Sequence, residues 1–228
     1  MSRGPYAEEL ARRFREVNGD HPMTAADDTY VSARFTPLED LCAARGRGVA
    51  RVRRRMLEGF LPLPGYLRSN GTELVPHDLF DLGDTADGID GVHGAGGVES
   101  AAGGEGPERL RAWFTAHWAD PVEGAEEWGA CLSGRYVCLP RVTPETIRRK
   151  AELTGAITAA VRDPRPDSPL WSVALHALVD ELDALVPDFA PYDRLRFGGP
   201  TSRDLCVDAV RARFPRPGPA PAGQDGLR

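Results

Sequence analysis

The chain has 228 residues, enough for one large domain or two small ones with real cores. Its 41% hydrophobic and 27% charged content is that of an ordinary globular protein. A formal net charge of -6 excludes a chain whose whole surface attracts nucleic acid, so any phosphate affinity must come from a local patch.

In chain order, Leu10, Phe14 and Val17 sit at helical spacing and predict a helix over 6–17. After breaks at Asn18-Gly19 and His21-Pro22, residues 27–35 predict a short second helix with Tyr30, Val31 and Phe35 as its apolar side. Thr36-Pro37-Leu38-Glu39 reads as a helix start, with Thr36 as cap, Pro37 in the first helical position and acids in the first turn. That helix carries Leu38, Leu41 and Cys42 and stops near Gly46. The next runs from Val49 to Glu58, with Val49, Val52 and Met56 inward and Gly59 as its terminator. Two short helices joined across Gly46-Arg47-Gly48 make a helix-turn-helix pattern. Asn70-Gly71 between short apolar segments then predicts a hairpin, the wing of such a unit. A short helix follows over 76–82.

Residues 83–107 are rich in Gly and Asp without an apolar period, the composition of a flexible linker. Beyond it the pattern is helical: Leu110, Trp113, Phe114 and Trp118; a looser stretch around Trp128, Leu132, Tyr136 and Leu139; then a long helix from Thr143-Pro144-Glu145 with Ile147, Ala151, Thr154, Ile157 and Val161 on one side. Asp167-Ser168-Pro169 starts another, striped by Trp171, Leu175, Leu178, Leu182 and Leu185, and the short connection between the two predicts antiparallel packing. A last helix over 202–214 should turn Leu205, Cys206, Ala209, Val210 and Phe214 inward, before a Pro/Gly/Ala-rich tail.

Cys42, Cys131, Cys138 and Cys206 are scattered, with no Cys-x-x-Cys pair. The N-terminal segment has no apolar core of a signal peptide, and no apolar run approaches the roughly 18 residues of a membrane span. The expectation is a cytoplasmic protein without membrane contact, its cysteines reduced and mostly buried as small hydrophobes.

The strongest constellation is basic. Residues 36–70 hold seven arginines against Glu39, Asp40 and Glu58, a local net of 7 − 3 = +4 in an acidic chain. Arg51, Arg54 and Arg55 lie three and four apart on the helix face opposite Val49, Val52 and Met56. In a winged helix-turn-helix that outer face enters the major groove, where the guanidinium fork reads guanine or clamps phosphate. Arg47, Arg51, Arg54, Arg55 and Arg68 are therefore the candidate DNA-binding residues. A protein-protein surface and a plain solvated face are the competing readings.

A second candidate is the polar, aromatic-flanked loop of residues 191–203. Tyr192, Asp193, Arg194, Arg196 and Arg203 there are positioned to line a pocket for an anionic or carbonyl-bearing small molecule, or to brace the loop against helix ends. For acid/base work the sequence offers Glu145, Lys150, Asp180 and His176. Other signals lack their context. Asp81, Asp84, Asp87 and Asp90 recur every three residues, unlike the ligands of a calcium loop. The glycines of 91–97 follow no strand. Ser133 lacks a nucleophile elbow. Cys131, Cys138 and His117 lack a fourth zinc ligand. No metal or cofactor is expected.

Residues 36–66 resemble the N-terminal module of MerR-type regulators, with Leu41, Gly46, Val52, Arg53, Gly59, Phe60, Leu61 and Pro62 in matching places. Arg47 departs from that pattern, which has a small apolar residue there, and the long dimerising helix is absent. From about Asp28 to Phe214 the chain is similar to an actinobacterial family of unknown function whose members are labelled natural-product biosynthesis proteins. The segments 132–139, 142–145, 149–151 and 189–200 carry that likeness. Arginine in place of lysine, with Lys150 the one lysine, and abundant Ala, Gly and Pro fit a high-GC genome of that kind.

The sequence thus predicts a mainly α protein: an N-terminal helical arm (1–26), a MerR-like winged helix-turn-helix (27–83), a Gly-rich flexible linker (84–106), a helical bundle (107–214) and a disordered tail (215–228). Its expected role is that of an accessory protein in natural-product biosynthesis. The alternatives are a DNA-binding regulator of a biosynthetic cluster and an enzyme with an unrecognised site in the helical bundle. The corresponding partners are pathway enzymes, DNA and a small-molecule metabolite.

Overall fold

A computed structural model describes residues 4–81 and 106–216 of the chain. The predicted linker, Gly106 apart, and the tail beyond residue 216 lie outside these residues. Among the described residues the protein is mainly helical, with one small sheet.

The N-terminal half begins with α1 (Ala7–Asn18), which buries Leu10, Ala11 and Phe14. Val17, expected inward, is 41% exposed, and Asn18 takes the inward position one residue on, four after Phe14. Helix α2 (Ala25–Ser32) starts earlier than predicted. Thr24 and Asp27 form a reciprocal capping box that satisfies two orphan backbone N–H groups.

Thr36 does not cap the helix, and Pro37 stands at its N-cap rather than in its first turn. The pair forms β1, matched antiparallel with Val75 and Leu74, and α3 (Leu38–Ala44) starts directly after it. A proline fits here because β1 is an edge strand, where one ladder N–H can be spared. Helix α3 ends at Gly46 with φ +61, and the Arg47 N–H donates to the Cys42 carbonyl at 2.8 Å across the reversal. Helix α4 (Val49–Leu57) follows. The predicted hairpin is present: β2 (Tyr66–Leu67) pairs with β3 (Glu73–Val75), and Gly71 supplies the positive φ. The sheet order is β1-β3-β2, so the strand that sequence reading missed closes the free edge of the hairpin. Leu38, Leu41, Val52, Met56, Leu61, Val75 and Phe80, with Leu10 of α1, form the core beneath α3 and α4.

The C-terminal half contains α5 (Gly106–Thr115), α6 (Pro121–Leu132), α7 (Pro144–Arg162), α8 (Pro169–Leu185), α9 (Pro191–Arg196) and a π-helical turn (Asp204–Asp208) that runs into α10 (Ala209–Arg213). Asp120, Thr143 and Ser168 cap three of these helices, each followed by proline. Helices α7 and α8 pack antiparallel, their far ends clasped by Arg149 Nε and Glu181 at 2.6 Å. Phe114, Trp128, Ile147, Leu153, Ile157, Leu175, Val179, Leu182, Val207 and Val210 are buried together.

Two stripes differ from expectation. Ala151 is exposed, and Leu153 is the buried residue of that turn. In the last segment the π turn adds a residue per turn and shifts the inward face, so Cys206, Val207 and Val210 are buried while Leu205 and Ala209 are exposed.

The two halves share a core. Met23, Val31, Phe35, Tyr66 and Leu74 pack with Val137, Ala190 and Tyr192. The Leu63 N–H donates to the Leu132 carbonyl at 2.8 Å, joining the halves by main chain as well.

Candidate nucleic-acid interface and the buried junction

The predicted arginine cluster divides by burial. Arg53 is 2% exposed and points inward. Its Nε and Nη2 donate to the two Glu73 carboxylate oxygens at 2.9 and 3.0 Å, and Nη2 also reaches Glu39 at 2.9 Å. It fastens α4 to β3 and α3 and is committed to carboxylates. Hydrogen bonds to those carboxylates raise its pKa against the opposing effect of burial.

Arg47, Arg51 and Arg55 instead line one groove of about 270 Å³, floored by Val52, Leu61 and Phe80. The Arg47 guanidinium lies 4.4 Å over the Phe80 ring of the groove floor, and the Arg55 guanidinium 5.2 Å over Phe60, so aromatic faces hold both charged heads in place. Arg54 is exposed beside them, 3.7 Å from Glu58 one turn on. The structure thus brings four of the five predicted DNA-contact residues to one side of α4. Arg68 stands apart at the hairpin, 3.6 Å from Asp28, whose carboxylate also accepts from Ser69.

The other predicted set is placed at the junction between the halves. Tyr192, Asp193 and Arg196 are buried, Asp193 completely. Asp193 accepts from the Tyr66 hydroxyl at 2.8 Å and the Ala190 N–H at 2.8 Å. Burial raises the pKa of the carboxyl, and burial next to Asp193 puts the Tyr66 phenol well above its ordinary value. Arg196 donates through Nε to Asn18 Oδ1 at 3.1 Å, through Nη1 to the Gly65 carbonyl at 2.5 Å and through Nη2 to Asn18 Oδ1 at 2.5 Å and the Gly134 carbonyl at 2.9 Å. Its guanidinium also lies within 5.3–5.7 Å of the Phe14, Tyr66 and Phe197 rings. Burial lowers its pKa.

Arg194 and Arg203 belong to different contacts. Arg194 Nε donates to Asp204 at 3.0 Å. Arg203 meets Asp183 at 2.6 Å and Asp188 at 2.9 Å, and donates to the Val186 carbonyl at 2.8 Å. Asn18, Asp27 and Tyr66, the partners of this network from the N-terminal half, were not picked out from sequence. They lie 115 to 178 residues from the groups they bind, and no local pattern marks such pairings.

The four acid/base candidates share no contact. Glu145 pairs with His117 Nε2 at 3.2 Å, and Asp180 with Arg211 at 3.0 Å and with Arg216. Lys150 Nζ lies 3.0 Å from Cys138 Sγ. His176 is 5% exposed, and neither ring nitrogen has a partner among the described residues. All four cysteines are buried and free, and burial pushes the Cys131 thiol up to about 12. Among the described residues no group of three His, Cys, Asp or Glu side chains could hold a metal, and no helix is long and apolar enough to cross a membrane. Of the Asp81–Asp90 series only Asp81 lies within the described residues, and the glycines of 91–97 lie outside them.

Fold and surface define a mainly helical protein with an outward arginine groove and a buried polar junction. Residues 110–215 match a family described as a family of unknown function, DUF6058. No curated protein and no solved structure matches the chain.

Proposed function

We propose that residues 36–75 act as a winged helix-turn-helix that sets α4 in the major groove of DNA, and that the chain regulates a natural-product gene cluster. The observation that carries this reading is the groove lined by Arg47, Arg51 and Arg55, with Arg54 exposed next to it. Arg54 meets Glu58 one turn on, and the Arg55 guanidinium lies over Phe60, so both stay on the α4 side of the molecule. The order β1-β3-β2 after and around α3 and α4 fits a wing that steadies such a helix on the backbone. Arginine forks there would meet phosphates and guanine edges.

The test is fluorescence anisotropy with a labelled DNA duplex over a salt series. Binding should weaken steeply as salt rises, and the joint substitution Arg51→Ala with Arg54→Ala should cut the slope of log K against log salt by about 2. Absence of a salt-sensitive signal at micromolar protein refutes the reading.

The second reading is an accessory protein that docks on a pathway enzyme. Its support is the likeness to natural-product biosynthesis proteins, together with Leu170 and Val173 on α8, which are 83% and 70% exposed. Co-purification of an enzyme from the native host, lost in Leu170→Ser with Val173→Ser, is its expected result. A lone peak counts against it.

A further inference from the structure

Beside the buried junction a second pocket opens between the halves, with a volume of about 250 Å³. Its walls are apolar and stiff. Phe35 and Pro76 come from the N-terminal half, and Leu139, Pro140 and Pro187 from the C-terminal half. Three polar side chains also line it: Tyr30, Arg34 and His77. A concave, apolar site at an interface with a few convergent polar groups is the usual form of a small-molecule site.

Arg34 supplies the positive charge, and its contacts fix it in place. The Arg34 guanidinium lies 4.2 Å over the Tyr30 ring, bonds to its hydroxyl, and donates through Nη1 to the Asp188 carbonyl at 2.7 Å. The Asp188 carboxylate is taken by Arg203 at 2.9 Å, and among the described residues no carboxylate stands within ion-pair distance of Arg34. His77 shares a hydrogen bond with the Thr36 hydroxyl through Nδ1, which leaves Nε2 without a partner among the described residues. A cation without a counter-ion at the edge of an apolar cavity recognises an anion with an apolar body.

We infer that this pocket binds a compact aromatic carboxylate, its ring between Phe35 and the prolines and its carboxylate on Arg34 and His77. The ligand would touch both halves and so stabilise the folded chain by mass action. The inference does not depend on nucleic-acid binding, and none of the results below bears on the arginine groove.

The experiment is ligand-observed ¹⁹F NMR on the full chain with 4-fluorophenylacetate, its neutral amide as comparison. Saturable broadening is expected, with the carboxylate at least about tenfold tighter than the amide. Arg34→Gln should remove that preference, Arg34→Lys should keep part of it, and His77→Gln, at an exposed position, should weaken the carboxylate without disturbing the fold. Arg148→Met, outside the pocket lining, should change nothing. Three results overturn the inference: no saturable broadening at millimolar probe with folded wild-type protein, equal binding of carboxylate and amide, or unchanged carboxylate affinity in both Arg34→Lys and His77→Gln.

Discussion

Replacing Arg196 by methionine tests whether the junction is one structural unit. The side chain is 9% exposed and donates to three acceptors, Asn18 Oδ1, Gly65 O and Gly134 O. Methionine fills most of the volume but leaves all three without that donor. Each stranded buried acceptor costs about 1–3 kcal/mol. Removing a buried guanidinium returns part of that, because the desolvation of the charge is also removed. The net loss should be about 3–5 kcal/mol, comparable to breaking a buried ion pair. For a chain of this length that corresponds to a fall in Tm of roughly 6–20 °C. Urea unfolding followed by tryptophan fluorescence and by far-ultraviolet circular dichroism is the assay. Trp113, Trp118, Trp128 and Trp171 all lie in the C-terminal half, so fluorescence reports that half while the dichroism reports both. In wild-type protein the two curves should coincide, and in Arg196→Met both should shift to lower urea or separate. A loss below about 1 kcal/mol with coincident curves would refute the assignment of Arg196 as the clasp between the halves.

Four further outcomes are expected. Arg53→Ala should destabilise by about 3–5 kcal/mol because it leaves Glu73, 4% exposed, as an uncompensated buried charge, whereas Arg53→Met with Glu73→Leu should recover most of that; chemical denaturation of both measures it. Gly134→Ala should cost more than Gly198→Ala, although both have φ near +70, because a Cβ at 134 would lie 2.6 and 2.7 Å from the Pro64 and Leu63 carbonyls while 198 faces open space; equal Tm losses would contradict this. Asp204, held at about 2 by its hydrogen bond from Arg194, has a folded pKa below its unfolded value, so its contribution is present above about pH 4 and is lost as pH falls toward 2. Stability against pH in Asp204→Asn should therefore be flatter than wild type between pH 4 and 2. Thr24→Ala should cost about 1 kcal/mol through loss of the capping box on α2, read by the same denaturation assay.

Local chemistry was enough to locate most helices. Pro144 after Thr143, Pro169 after Ser168, and Gly46 and Gly59 after their helices start and stop the chain through backbone conformation and nearby hydrogen bonds, which act over a few residues. The hairpin at Asn70-Gly71 was legible for the same reason, and so was the outward set of Arg51, Arg54 and Arg55, because helical spacing alone puts them opposite Val52 and Met56. The tertiary structure decided what spacing cannot. Thr36-Pro37 became an edge strand because β3, 37 residues on, offered it partners. Arg53 turned inward because Glu73 was waiting on that strand. The polar loop after Pro191 was drawn into the interior because Asn18, Tyr66 and main-chain carbonyls of both halves satisfy Asp193 and Arg196 there. A charged side chain is written in the sequence, but whether it meets water, a phosphate or a buried acceptor depends on groups that only folding brings within 3 Å.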